Sequence, residues 1–245
     1  MNIKLNCDMG ESFGLWEIGA DQEIMPYIDM ANLACGFHAG DSVTMYKSVA
    51  LAKEHNVEVG AHPGYQDLVG FGRRSMVCTE GEIIALVLYQ LGALSAFCKV
   101  HNTKVTYLKP HGALYQDMMK DNNVFNAIVE AIASYDTSIK LMILSTPRNK
   151  EYATMAKLYN VELLFEVFAD RNYNDDGSLV SRMKSNAVIK DEADVVSRIK
   201  SLKEDGSLLS INNKKLTLQT DVLCVHGDTQ NALEFIKILK REITA

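Results

Sequence analysis

The feature that most restricts this chain is an alternation. Short apolar or β-branched runs are followed, again and again, by longer segments of helical periodicity. The runs that read as strands cover 3–7, 30–34, 57–61, 105–108, 140–144, 161–167 and 222–225. Helices are expected near 42–55, 80–101, 122–135, 147–159, 191–203 and 229–242. A strand that rejoins its sheet in parallel needs a crossover long enough to hold a helix, so the pattern predicts βα units around a parallel sheet. Seven strands with about as many helices in 245 residues point to an α/β chain closed into a (β/α) barrel rather than an open sheet. Helix starts support the assignment. Thr79 with Glu82 spells a capping box, and Asp41, Asp191 and Asp228 stand where N-cap acceptors are wanted. One excursion interrupts the rhythm within 171–221: "NYNDDGSLVSR" is polar and turn-rich, and "SLLSINNKKLTLQ" reads as a small hairpin turning at Asn212 and Asn213. No linker or low-complexity tract divides the chain, so 1–245 is expected to form one domain.

Charge and cysteine usage narrow the function classes. The net charge is −6 and no more than two basic residues are adjacent, which argues against a nucleic-acid partner. The five cysteines are widely spaced with no C-x-x-C, so neither a zinc ribbon nor a disulfide framework is indicated, and reduced thiols in the cytoplasm are expected. The opening "MNIKLNCDMGE" carries no signal-peptide apolar region. The uncharged stretch at 83–98 falls short of the roughly 18 residues a spanning helix needs, so it reads as a buried helix, with no membrane partner expected.

Reactive side chains gather at the strand ends. The first strand leads into Asp8 and Glu11, the second into Cys35, His38 and Asp41, and the third into His62 in "GAHPG". The fourth leads into Lys109 and His111 in "LKPHGALY", the sixth into Glu166, Asp170 and Arg171, and the seventh into His226 and Asp228 in "VHGD". In a parallel barrel all those ends meet on one face, where the chemistry of such folds sits. Each residue alone has a plainer reading: the aspartates as caps, the cysteines as small buried hydrophobes, the glycines and prolines as turn formers. Invoking the plain reading at six strand ends at once strains it, and a mixed cluster of acid, base and cation is what polar catalysis needs.

Three chemistries fit those residues. A thiol nucleophile would pair Cys35 with His38, but no nucleophile-elbow pattern surrounds it. A divalent metal would be held by Asp8, His38 and His62. Metal-free acid–base catalysis would use carboxylates and histidines, with Lys109 stabilising charge. Nucleotide motifs are absent: there is no G-x-x-x-x-G-K-[ST], and "GFGRR" lacks the third glycine of a dinucleotide fingerprint. Its Arg73 and Arg74 are suited to hold a phosphate or carboxylate bidentately.

The segments "NCDMGESFG", "ANLACGFHAGD", "GAHPGYQDLVGFGRR", "KPHGALY", "EVFADRNY" and "CVHGD" resemble, in order and spacing, the motifs of the LamB/YcsF family. The resemblance spans essentially the whole chain. Cys7 replaces a usual alanine and Ser181 precedes Arg182 where the family favours proline. The resemblance implies a seven-stranded TIM-like barrel of the glycoside hydrolase/deacetylase type. It implies ATP-dependent opening of the 5-oxo-L-proline lactam to L-glutamate, together with 5-oxoprolinase subunits B and C. ATP would then be a co-substrate shared with those partners, and a divalent metal is left open.

On that footing, Lys109 with Arg73 or Arg171 holds the substrate carboxylate or a phosphoryl group. Asp8 or Glu11, with His38 or His62, activates water, and His111 or His226 protonates the departing nitrogen. Glu166 and Asp170 orient the cations. Further substrate contacts are expected from Asn32, Arg74, Arg182 and Asp228. Two rival classes stay open: a metal-dependent amidohydrolase or deacetylase acting without ATP, and a non-catalytic subunit that binds oxoproline.

Overall fold

The computed structural model describes residues 3–189, 191–225 and 232–244. The chain begins with β1 (Lys4–Met9), a single helical turn α1 (Asp21–Ile24) continued by the 3-10 turn Met25–Tyr27, β2 (Met30–Ala34) and α2 (Ser42–Glu54). It continues through β3 (Glu58–His62), α3 (Glu80–Val100), β4 (Val105–Leu108), α4 (Gly112–Lys120), α5 (Asn122–Tyr135), β5 (Lys140–Leu144) and α6 (Asn149–Lys157). Next come β6 (Leu163–Phe168), α7 (Glu192–Asp205), the hairpin β7 (Ser207–Leu209) and β8 (Lys215–Thr217), β9 (Val222–Val225) and α8 (Ala232–Thr244). Seven of the strands close a barrel in the order β1-β2-β3-β4-β5-β6-β9, with every pairing parallel. The expected (β/α) barrel is therefore the observed one.

The strands show why the site lies where it does. Side chains alternate across a strand, so Leu5, Cys7 and Met9 of β1 pack outward into the core shared with the helices. Asn6 and Asp8 fall on the other parity. In register, Asn6 lies beside Cys224, Asp8 beside Asn32, and Asn32 beside Gly60. The same parity carries Met30, Tyr107, Met142 and Val222, a separate apolar cluster inside the barrel. Each of Met30, Leu164 and Val222 precedes a polar or sulfur-bearing residue of the same parity: Asn32, Glu166 and Cys224. The barrel thus holds an apolar plug toward its N-terminal end and a polar layer above it.

Two glycines are required by this packing. A Cβ on Gly60 would lie 2.1 Å from Cζ of Tyr107, so only glycine lets that ring cross the interior. Gly112 adopts φ +53° at the start of α4, and a Cβ there would come 2.6 Å from the Gly72 carbonyl. That carbonyl accepts a hydrogen bond from Ala113 N at 2.8 Å, stapling the loop after β3 to α4.

Most elements match the sequence pattern, and the capping assignments at Asp41, Thr79 and Asp191 are observed as side-chain hydrogen bonds. Asp228 lies outside the described residues. Several boundaries shift. β1 extends past 7 to Met9 and β3 reaches His62, because the pairings of Asp8 with Asn32 and of Ala34 with His62 continue the ladders through polar residues. Helix α4 occupies a segment that reads as turn, since "PHG" conceals a helix start whose geometry depends on the distant Gly72. The expected hairpin forms, with Asn213 in the left-handed region at φ 61°. Helix α3 is long and apolar enough, by length and composition, to cross a membrane. In the fold it packs against α5, with Ile83, Val87, Leu91, Leu94 and Cys98 buried.

Replacing Gly60 with alanine is expected to lower stability by about 1–3 kcal/mol, the usual cost of overpacking a close-packed interior. A denaturant midpoint unchanged from wild type would show that the Tyr107 ring is not seated as described.

Candidate active site

Lys109 is the centre of the polar layer. Its Nζ lies 3.0 Å from Oε2 of Glu166, 3.3 Å from Oδ1 of Asp8, 3.2 Å from Oδ1 of Asn6 and 3.1 Å from Sγ of Cys224. These contacts join β1, β4, β6 and β9. Burial alone would lower the lysine's pKa, but the charges of Asp8 and Glu166 outweigh it and hold the ammonium well above its ordinary value. The carboxylates are themselves fixed. Tyr115 donates to Oε1 of Glu166 at 2.6 Å, and Asn32 donates to Oδ1 of Asp8 at 2.7 Å. Tyr107 donates to Oδ1 of Asn32 at 2.7 Å. Burial, reinforced for Tyr115 by Glu166, keeps both phenols protonated and donating.

A second cluster adjoins the first. His62 sits 3.5 Å from Asp8 through Nε2, and its Nδ1 lies 2.6 Å from the Lys109 carbonyl. His111 Nδ1 lies 3.0 Å from His62 Nε2, while its Nε2 lies 2.9 Å from the Phe71 carbonyl. His38 stacks on His111 with centroids 3.7 Å apart and ring planes nearly parallel. Oε1 of Glu11 is 3.4 Å from His38 Nε2 and 3.7 Å from His111 Nδ1. Burial, with His62 beside it, pulls the His111 ring down to about 3, and burial with the neighbouring rings holds His38 well below its ordinary value. Ligand atoms of Glu11, His38, His62 and His111 all lie within 4.8 Å of one another, so this buried group could hold a metal ion; Asp8 is not among the four.

The loop that carries Phe71 is held in an unusual shape. Phe71 has φ 54°, a backbone region that costs an aromatic residue roughly 1–3 kcal/mol. Asp67 secures the turn: it accepts from Gly70 N at 2.9 Å and from Arg74 Nε at 3.0 Å. Arg74, expected on substrate, is thus engaged in bracing the loop, while Arg73 lies over the Phe71 ring at 5.1 Å. Arg171 is buried and donates to the Val180 carbonyl at 2.6 Å and the Ala187 carbonyl at 3.3 Å, which ties down the excursion after β6. Arg182 is exposed on that excursion, and Asp170 is buried at its start. His226 and Asp228 lie outside the described residues.

The structure thus brings Asp8, Glu11, Asn32, His38, His62, Lys109, His111 and Glu166 together. It adds Asn6, Tyr107 and Tyr115, which strand-end reasoning misses. Asn6 and Tyr107 lie within strands; their signal is parity with Asp8 and Lys109, the alternation that marks interior positions. Cys224 also belongs to the polar layer rather than to packing alone. Cys35 is buried, its Sγ lies 3.2 Å from the Leu33 carbonyl, and burial pushes its thiol up to about 12. Its burial and raised pKa both argue against the thiol-nucleophile chemistry.

A seven-stranded parallel (β/α) barrel whose acids, histidines and buried ammonium meet at the C-terminal strand ends has the layout of barrel enzymes. The chain belongs to the LamB/YcsF family, whose model matches residues 3–245. It is 49% identical over 241 residues to the A subunit of a 5-oxoprolinase from Vibrio vulnificus (strain YJ016), covering 98% of this chain and 97% of the relative. It is 47% identical over 240 residues to the corresponding 5-oxoprolinase chain of Staphylococcus aureus (strain Newman), covering 98% and 95%. Among solved structures, a lactam utilization protein from Thermus thermophilus superposes with a TM-score of 0.92 at 37% identity, covering 100% of this chain and 96% of that one.

The burial of Cys7, Cys35, Cys98 and Cys224 leads to a thiol-titration result. At about pH 8 the native protein should react with a disulfide reagent at Cys78 alone, and all five thiols should react in denaturant. Rapid native labelling of Cys35, located by peptide mapping, would reinstate it as a nucleophile.

Proposed function

We propose that this chain is the A subunit of an ATP-dependent 5-oxoprolinase, opening the 5-oxo-L-proline lactam to L-glutamate together with subunits B and C. The observation that carries this reading is the Lys109–Asp8–Glu166 constellation beside three histidines, in a chain that matches relatives of that name end to end. A five-membered lactam is an unactivated amide whose ring recloses readily, so coupling to ATP supplies the drive. Transfer of the γ-phosphoryl group to the lactam oxygen makes the ring carbon electrophilic. Water adds there, the C–N bond breaks as the nitrogen takes a proton, and a second water releases phosphate from the resulting acyl phosphate.

This chain's residues fit those tasks. Lys109 offers a fixed positive charge to the oxyanion or to the substrate carboxylate. Asp8, 3.5 Å from His62, is placed to take the proton of a water attacking beside that ring. His111, 3.0 Å from His62 and held neutral by burial, would serve with that ring as a ligand of an ion, and the proton for the departing nitrogen would come back from the acid that took it from water. Glu166, with Tyr115, holds Lys109 in position. A divalent ion held by Glu11, His38, His62 and His111 would supply Lewis-acid charge and a water of lowered pKa. ATP is a co-substrate shared with the partner chains. The exposed Leu15, Trp16, Val69, Val77 and Met183, on loops leaving the C-terminal strand ends, suit a face that other chains of the complex cover.

The metal-capable cluster also supports a second reading, an amidohydrolase that works without ATP. The two are separated by measuring glutamate release from 5-oxoproline by the chain with and without ATP and its partners. Asp8→Asn, close in shape to the native side chain, should lower turnover of the reconstituted complex at least about 100-fold while the fold persists. Lys109→Met should do the same and also destabilise by about 3–5 kcal/mol, because Asp8 and Glu166 lose their buried partner. Near-normal turnover in Asp8→Asn would reduce the chain to a binding role.

A further inference from the structure

The two backbone carbonyls beside the histidine cluster decide its chemistry. A carbonyl oxygen can only accept, so the Lys109 carbonyl, 2.6 Å from His62 Nδ1, places the His62 proton on Nδ1 and leaves Nε2 a lone pair. The Phe71 carbonyl, 2.9 Å from His111 Nε2, likewise places that ring's proton on Nε2 and leaves Nδ1 a lone pair. Those two bare nitrogens face each other at 3.0 Å. Two acceptors at that distance repel unless something positive lies between or beside them. The neighbouring groups add a further ring nitrogen lone pair and a carboxylate. His38 is 1% exposed, and neither of its ring nitrogens has a hydrogen-bond partner among the described residues. Glu11 brings a carboxylate oxygen to 3.4 Å from His38 Nε2 and 3.7 Å from His111 Nδ1.

We infer that Glu11, His38, His62 and His111 form a resident site for a first-row divalent transition-metal ion, zinc being the best match, with the Lys109 and Phe71 carbonyls as its orienting second layer. Three imidazoles and one carboxylate are a borderline donor set suited to zinc. Tetrahedral bonds of about 2.0–2.1 Å place ligand atoms about 3.3–3.4 Å apart. The contacts of 3.0, 3.4 and 3.7 Å bracket that spacing. Ligating histidines characteristically donate their other ring N–H to a carbonyl or carboxylate, as His62 and His111 do here. A proton shared between His62 and His111 would relieve their facing lone pairs. It would do nothing for His38 or Glu11, whereas an ion can take one donor atom from each of the four residues. Asp8 stands outside this set. Its Oδ1 is already held by Asn32 at 2.7 Å and by Lys109 at 3.3 Å, so the Asp8–His38–His62 combination suggested by spacing is replaced by one in which Glu11 and His111 take its place.

Metal binding is measured without substrate or partners, so its failure is distinguishable from failure of the lactam reading. Full-length protein, stripped with a chelator and dialysed, is titrated calorimetrically with zinc chloride. One ion per chain is expected, together with a rise in melting temperature on zinc addition. His62→Gln, His111→Gln and the shape-conserving Glu11→Gln should each weaken binding at least about 10-fold and lose most of the melting shift. His55→Gln, at the exposed end of α2, should bind as wild type. Cobalt loading should give visible bands of a low-coordinate nitrogen–oxygen site, and X-ray absorption should count three imidazoles. Binding of less than about a tenth of an equivalent would overturn the inference. So would undiminished binding in folded Glu11→Gln and His111→Gln, or nitrogen NMR showing a protonated His62–His111 pair that zinc does not change.

Discussion

The ammonium of Lys109 is the constraint around which the upper half of the barrel is organised. A charge buried to 3% exposure is tolerable only if its partners are fixed, and they come from strands distant in sequence. Asp8 and Asn6 arrive on β1, Glu166 on β6 and Cys224 on β9, the strands that close the barrel. Closure and charge pairing therefore depend on each other. The sheet must close to bring Glu166 and Asp8 to the same lysine, and the lysine stands between two carboxylates that would otherwise repel across the interior. Asn32 donates to Asp8, Tyr115 donates to Glu166 and Tyr107 holds Asn32, which keeps the carboxylates oriented toward the lysine.

Much of this is legible from the chain alone, because βα alternation and polar strand ends are local signals. His38, His62, Lys109 and His111 each close or follow an apolar run, so position along the chain is enough to group them. What stays hidden depends on parity and on distant backbone. Asn6 and Tyr107 sit inside apolar runs, and only the alternation that turns them toward Asp8 and Lys109 marks them as part of the site. Arg74 and Arg171 read as substrate contacts, since a guanidinium looks the same in sequence whether it awaits an anion or braces a loop. Asp67 and the Val180 and Ala187 carbonyls, which engage them, are visible only once the loops fold. Helix α4 escapes for a related reason: its first residue needs a positive φ and a close approach to Gly72 that no local propensity encodes.

The metal question shows how far residue type and spacing can go. Asp8, His38 and His62 lie on consecutive strands and are a chemically reasonable ligand set. Spacing cannot reveal that Asp8 is already committed to Asn32 and Lys109, nor that Glu11, three residues further along, reaches the histidines instead. The loop after β1 makes that difference, because it carries Glu11 across the top of the barrel rather than up the strand.

Lys109 also joins the two halves of the site through its backbone. Its N–H extends the β3–β4 pairing by donating to Ala61, and its carbonyl fixes the tautomer of His62. The tautomer of His111 is fixed from the other side by Phe71, held in a costly conformation by the loop that Asp67 and Arg74 brace and Gly112 allows to approach. A displacement of β4 would therefore disturb the carboxylate pairing and the histidine lone pairs together. The ammonium side chain and the carbonyl of one residue tie the charged half of the site to the imidazole half, and the strained loop is what keeps the second ring facing the first.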